Sequence, residues 1–158
     1  MGAVDRVQGL LAEAGLGIDV VHLEKDTRTA ELAARALGTE VGAIVKSLVF
    51  LADEAVVLAL VAGDKRADLG KVAESLGAKK VEIARGSVVK ERTGFAIGGV
   101  PPLVKDGEGK QVPTLMDRHL FRYDTVYAAA GSPFDIFPVS PSALAGLVEA
   151  SVGDITEV

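Results

Sequence analysis

The sequence predicts an α+β fold: a mixed, mostly antiparallel, barrel-like β-sheet with surrounding helices. Apolar runs of strand length outnumber helical repeats, and neighbouring runs are often separated only by tight turns. The apolar content is also aliphatic: 49% of the 158 residues are hydrophobic but only 4% are aromatic, so Val, Leu, Ile and Ala must build the core. That mixture suits β-branched strands packed on Ala- and Leu-rich helices. The length fits one domain, and residues 1–158 show no repeat, linker or low-complexity stretch that would mark a second.

Val4, Val7, Leu10 and Leu11 recur at helical spacing and Gly15 is a natural stop, which predicts a first helix over Val4–Ala14. Ile18–Leu23 reads as a strand. Asp26-Thr27-Arg28-Thr29 is rich in N-cap residues and precedes Ala30–Leu37 and Gly38, a short helix with a capped start and a glycine end. Ile44–Leu51 and Ala55–Val61 form a hairpin about Asp53-Glu54. Asp68 caps a helix through Leu76, ended by Gly77. Val81–Ala84 is a short strand, and Ser87–Thr93 one or two helical turns before Gly94.

Gly98-Gly99-Val100-Pro101-Pro102 is a rigid, kinked loop, because proline fixes φ and glycine lets backbone approach closely. Gly107-Glu108-Gly109 is a turn, Val112–Met116 a strand, and Arg118–Tyr123 a short helix or loop. Thr125–Ala130 and Phe134–Val139 are strands, with Gly131-Ser132-Pro133 turning between them. Ser140 followed by Pro141 opens a last helix to about Ala150, and Val152–Ile155 is a terminal strand.

Composition excludes several function classes. Cysteine is absent, so there are no disulfides, thiolate nucleophiles or Cys-based metal sites. His22 and His119, the only histidines, stand in no metal-ligand spacing, so neither a metal nor another cofactor is expected. Gly107-Glu108-Gly109-Lys110-Gln111 fails as a phosphate loop, since Val104 replaces the first glycine and Gln111 the Ser/Thr. No G-x-S-x-G elbow is present. No apolar run reaches about 18 residues and Met1–Leu10 lacks a signal-peptide core, so a cytoplasmic protein with no membrane partner is expected. A net charge of −5 argues against gripping a long duplex, and hence DNA, but leaves room for a small local contact with a single-stranded end.

Lys46 is the first candidate for chemistry. Strand alternation puts it on one face with Ile44, Leu48 and Phe50. An unpaired ammonium there would cost several kcal/mol. Lys46 therefore either lines a cavity open to an anionic ligand or lays its stem on apolar surface with its head in water. The Gly98–Pro102 loop is either a tight connection or a preorganised pocket wall. Gly131-Ser132 is either a hairpin turn or a backbone that touches ligand. Asp135 either faces solvent or orients a ligand amine.

Four segments, in order, resemble the YbaK/prolyl-tRNA-synthetase-associated domain family: Thr29 to Gly38, Ala43 to Phe50 with its strand lysine, Gly98 to Leu103 with its G-x-x-x-P loop, and Ala128 to Pro133. The likeness spans about residues 25 to 150. It implies a mixed barrel-like sheet with helices packed around it, and hydrolysis of the ester of mischarged tRNA, of the Ala-, Ser- or Cys-tRNA type. It implies that Lys46, Gly98, Pro102 and Gly131 serve catalysis. Thr29, Ser47, Gly99, Val100, Pro101, Ser132 and Asp135 would bind substrate. The implied partners are the 3′ end of aminoacyl-tRNA and an aminoacyl-tRNA synthetase. Ala129 and Ala130 stand where some relatives carry serine, so their amino-acid preference does not transfer.

An aminoacyl ester is already activated, so positioning and oxyanion stabilisation suffice, with a water or the ribose 2′-OH supplying the nucleophile. Two other classes use the same residues: a non-catalytic module that binds tRNA or aminoacyl groups, and a regulatory domain that captures a small anion on Lys46.

Overall fold

The computed structural model describes residues 2–158. The chain runs α1 (Ala3–Ala14), β1 (Val21–His22), α2 (Ala30–Leu37), β2 (Val45–Ala52), β3 (Ala55–Ala62), α3 (Leu69–Leu76), β4 (Val81–Ile83) and α4 (Gly86–Thr93). It continues through β5 (Thr114–Asp117), β6 (Val126–Ser132), β7 (Asp135–Val139), α5 (Pro141–Leu147) and β8 (Ser151–Gly153). No helix among the described residues is long and apolar enough to cross a membrane.

Capping chemistry explains why the helix bounds follow the sequence so closely. The Thr29 hydroxyl accepts from the Leu32 N–H at 3.2 Å, and the Asp68 carboxylate from the Lys71 N–H at 3.1 Å. Each such cap stabilises its helix by about 1 kcal/mol. Ser140 accepts from Ala143 N–H at 3.1 Å and Pro141 occupies the first helical position.

The central unit is the β2–β3 hairpin, paired from Val45↔Ala62 to Ala52↔Ala55. Asp53 and Glu54 both take positive φ, 47° and 72°, which gives the turn the twist a two-residue hairpin needs. The Asp53 carboxylate, accepting from the N–H groups of Lys79 and Lys80, ties that turn to the start of β4. Two clusters sandwich the hairpin. Val45, Val49, Leu58 and Leu60 pack toward Val7, Leu11, Met116 and Phe137, while Phe50, Val57, Ala59 and Val61 pack toward Val72, Leu115 and Ile155. β3 is covered on both faces, which is why its sequence is a continuous apolar run.

The fold class is the predicted one, with the sheet divided in two. Five strands run in the order β4-β2-β3-β5-β8 and three in the order β1-β7-β6. Pairing is antiparallel except for β3–β5 and β5–β8. A parallel bridge between Ile44 and Tyr127 joins the sheets.

Some expected bounds move. The first strand shrinks from Ile18–Leu23 to two residues, because Val20 N–H goes to the Gln8 side chain rather than to a neighbouring strand. The last helix stops at Leu147, with Glu149 at φ 52°. The final strand is Ser151–Gly153, since Asp154 turns out to pair with Lys71 and Ile155 turns into the core. Gly131 and Ser132 belong to β6, not to the turn. A register shift lies between Ala129 and Ser132, and Pro133-Phe134 make the turn.

Candidate active site

β2 carries the site because one of its edges is only partly covered. β3 pairs along its whole length, but β4 covers the opposite edge only from Phe50 to Ala52, and the Tyr127 bridge touches only Ile44. Between them, Lys46, Ser47 and Leu48 present an edge that no strand pairs. Unpaired edge groups are ready hydrogen-bonding partners for a ligand.

Two cavities open on this gap, of about 400 Å³ and about 800 Å³, and they share a wall made by Lys46, Ser47, Leu48, Ile97, Gly98 and Val100. The smaller is roofed by the start of α2, with Thr27, Thr29, Ala30 and Ala33, and floored by Ile44, Tyr127, Ala129 and Ile136. The larger runs under Phe50, Ala67, Leu69 and Ile83.

Lys46 is half-buried, and its ammonium donates to the Lys65 carbonyl oxygen. Burial pushes it below the ordinary lysine value. Glu31 pulls it back up, Arg66 pushes it down, and Asp64 and Asp117 pull it up. It is thus a cation held at a cavity wall, short of counter-charge. Ser47 Oγ is buried and has no hydrogen-bond partner among the described residues. A buried hydroxyl left unpaired costs about 1–3 kcal/mol, which a ligand in the adjoining cavity would recover.

The loop holding Lys46 in place is itself pinned twice. Buried Asp117 accepts from the Ala62 N–H at 3.0 Å and from His119 Nδ1 at 2.7 Å, fixing the end of β3. Asp64, two residues on, is clasped by Arg122 through contacts of 2.7 and 2.9 Å. The Arg122 hydrogen bond holds the Asp64 carboxyl below the usual carboxylate value.

The structure brings some of the expected residues together and sets others aside. Lys46, Ser47, Gly98 and Val100 line both cavities, and Thr29 lines the smaller. Gly99 instead lies against β6: a Cβ there would stand 2.8 Å from the Ser132 backbone. Its carbonyl accepts from the Gly131 N–H at 2.9 Å. Pro101 and Pro102 are buried and line neither cavity, and the Pro102 carbonyl accepts from the Gln111 side chain at 2.8 Å.

Gly131 also lines neither cavity. Its φ is 103°, and a Cβ would stand 2.9 Å from the Ala3 carbonyl, so it is the seat for the start of α1. Asp135 is buried, not solvent-facing, and is taken up by His22 Nδ1 at 2.8 Å and the Ser132 hydroxyl at 2.5 Å. The two histidines each sit on a carboxylate, His22 on Asp135 and His119 on Asp117. No group of three or more potential metal ligands clusters among the described residues.

Residues that sequence reasoning missed are Ala33, Tyr127 and Glu31 at the smaller cavity and Arg66, Leu69, Ile83 and Ile97 at the larger. Ile83 at 70% and Ile97 at 63% exposure stand out in the structure, but no local pattern in the sequence marks them.

A protein of Enterococcus faecalis named for deacylation of Cys-tRNA(Pro) and Cys-tRNA(Cys) is 32% identical over 133 residues, covering 84% of this chain and 79% of that one. An 82-residue stretch, 52% of this chain, is 38% identical to a segment making up 14% of the proline–tRNA ligase of Lactobacillus helveticus. A crystal structure named for a trans-editing enzyme for prolyl tRNA synthetase superposes with a TM-score of 0.91 at 43% identity, over 100% of this chain and 99% of that one. The profile of the aminoacyl-tRNA editing domain matches residues 24–147, a span that holds β2, the Gly98 loop and most of both cavity walls, so this chain belongs to the aminoacyl-tRNA editing domain family.

Proposed function

We propose that this chain is an aminoacyl-tRNA deacylase that acts in trans on mischarged tRNA, with residues 1–158 forming one editing domain. The observation that carries the reading is the wall shared by two unequal cavities, with Lys46 and the unpartnered Ser47 hydroxyl in it. An aminoacyl-tRNA end has the matching shape: a small acyl group and a larger nucleoside joined at the reacting ester.

The acyl group enters the smaller cavity, whose alanines and aliphatic walls suit Ala, Ser or Cys side chains. Such a sieve is worth only about 1–3 kcal/mol per methylene. The terminal nucleoside enters the larger cavity beside Leu48 and Phe50. The carbonyl oxygen then faces the Lys46 ammonium and the open-edge N–H groups of β2, which stabilise the negative charge that develops on it. A water, alone or assisted by the substrate's ribose 2′-OH, adds to the carbonyl carbon. The bond from that carbon to the ribose oxygen breaks, the ribose oxygen takes a proton, and free amino acid and uncharged tRNA leave. A short single-stranded end needs only a small contact, in keeping with the net charge of −5. Kinship with a segment of proline–tRNA ligase supports a synthetase as working partner.

A panel of tRNAs charged with Ala, Ser, Cys and Pro, assayed for amino-acid release, tests the reading. Catalytic release of at least one of the small amino acids is expected. Binding without turnover would make the chain a recognition module, and no dependence on tRNA would make it a small-anion sensor.

A further inference from the structure

The larger cavity reaches farther than a terminal nucleoside needs. Lys46, Leu48 and Phe50 share one face of β2, and Phe50 pairs with Ile83 of β4, so Ile83 extends the same row. From Lys46 to Phe50 the strand covers about 13 Å, and Ile83 stands beside Phe50 on the neighbouring strand. Ile83 is 70% exposed and Leu69, the first residue of α3, is 40% exposed, and both line the larger cavity as an aliphatic shelf open to solvent.

A cation flanks this shelf although the chain as a whole is acidic. Arg66 lines the cavity, its side chain 86% exposed and, among the described residues, ion-paired only at 3.8 Å with Glu157, which lines the same cavity. Asp68 also lines the cavity, but its carboxylate is turned to the Lys71 N–H as a helix cap.

We infer that the Leu69–Ile83 shelf with Arg66 is a second nucleotide subsite, which holds the nucleotide preceding the terminal adenosine of the tRNA acceptor end. The inference rests on the deacylase reading. Aliphatic side chains offer a flat base a surface without reading its edges, and the Arg66 guanidinium takes the phosphate that links the two nucleotides. Continuity with the Lys46 wall makes the strand of the substrate itself the occupant.

The test compares kcat/KM for one amino acid esterified to a CCA trinucleotide and to adenosine alone, at low and moderate salt. Wild-type protein should favour the trinucleotide by about tenfold, with the preference shrinking as salt rises. Arg66→Glu and Ile83→Asp, both at exposed positions, should each bring that ratio toward one. A wild-type ratio near one, or a ratio unmoved in both variants, overturns the subsite. If neither ester is cleaved while free tRNA or a small anion binds, the deacylase reading itself fails, and the subsite with it.

Discussion

The ammonium of Lys46 donates to the main-chain carbonyl of Lys65, so the cation at the cavity wall is positioned by the loop that follows β3. That loop is held at one end by buried Asp117 and in its middle by the Asp64–Arg122 pair. The Lys46 side chain is half-buried, and burial lowers its pKa while Glu31, Asp64 and Asp117 pull it up.

Because burial lowers the Lys46 value, deacylation that depends on the ammonium should fall, after subtraction of spontaneous hydrolysis, at a lower pH than an ordinary lysine would give. The same shift has a stability consequence. Between the lowered folded value and the ordinary unfolded value, the unfolded chain binds more protons, so stability rises with pH across that window. The penalty is therefore complete at neutral pH and is relieved as pH climbs. Lys46→Met should match or exceed the wild-type Tm at pH 7, with its advantage narrowing toward about pH 10. Melting curves across that range check this, and a variant several degrees less stable at pH 7 would contradict it.

Arg122→Gln should cost under about 1 kcal/mol of stability, since both partners of its pair are roughly one-third exposed and screened by solvent. Its effect on rate should be larger, about tenfold in kcat, because the Lys65 carbonyl moves with the loop. The Asp64 contribution to stability is present above the ordinary carboxylate value and is lost as pH falls through the lowered one. Denaturation together with single-turnover kinetics separates the two effects.

Asp135→Asn is expected to act on the fold. The carboxylate is buried and satisfied by Ser132 and His22, so its loss should cost about 1–3 kcal/mol. Activity of the folded fraction should stay within about twofold. A large fall in kcat/KM at unchanged Tm would instead make Asp135 a reader of the substrate amine.

Gly99→Ala and Gly131→Ala should each destabilise by about 1–3 kcal/mol, since a methyl at either position meets backbone and not a movable side chain. Gly99→Ala should also lower kcat, because the displaced loop carries Gly98 and Val100 away from the shared wall. Urea titration and rate measurements on the same samples check both.

Local chemistry made much of the fold readable. The bounds of α2 follow from Thr29 and Gly38, and those of α3 from Asp68 and Gly77, because the caps lie within a few residues of what they cap. The hairpin follows from two apolar runs around Asp53-Glu54. Alternation along β2 singled out Lys46 but left open whether it lines a cavity or reaches for water; in the structure it lines two. The bulge that places Gly131 inside β6 was hidden, because it depends on packing against Ala3 in a distant helix. The same holds for Asp135, whose partner His22 is 113 residues away. The larger cavity was out of reach for this reason too, since Arg66, Ile83, Ile97 and Glu157 come from separate segments with no shared local pattern.

The most direct measurement is single-turnover hydrolysis of a mischarged tRNA from the Ala, Ser and Cys set by wild-type protein and by Lys46→Met, with Tm recorded on the same preparations. Wild type should release the amino acid, and the variant, equally folded, should lose about a hundredfold or more in rate. Equal rates in both proteins would remove Lys46 from the chemistry and contradict an ester site built on the wall between the two cavities.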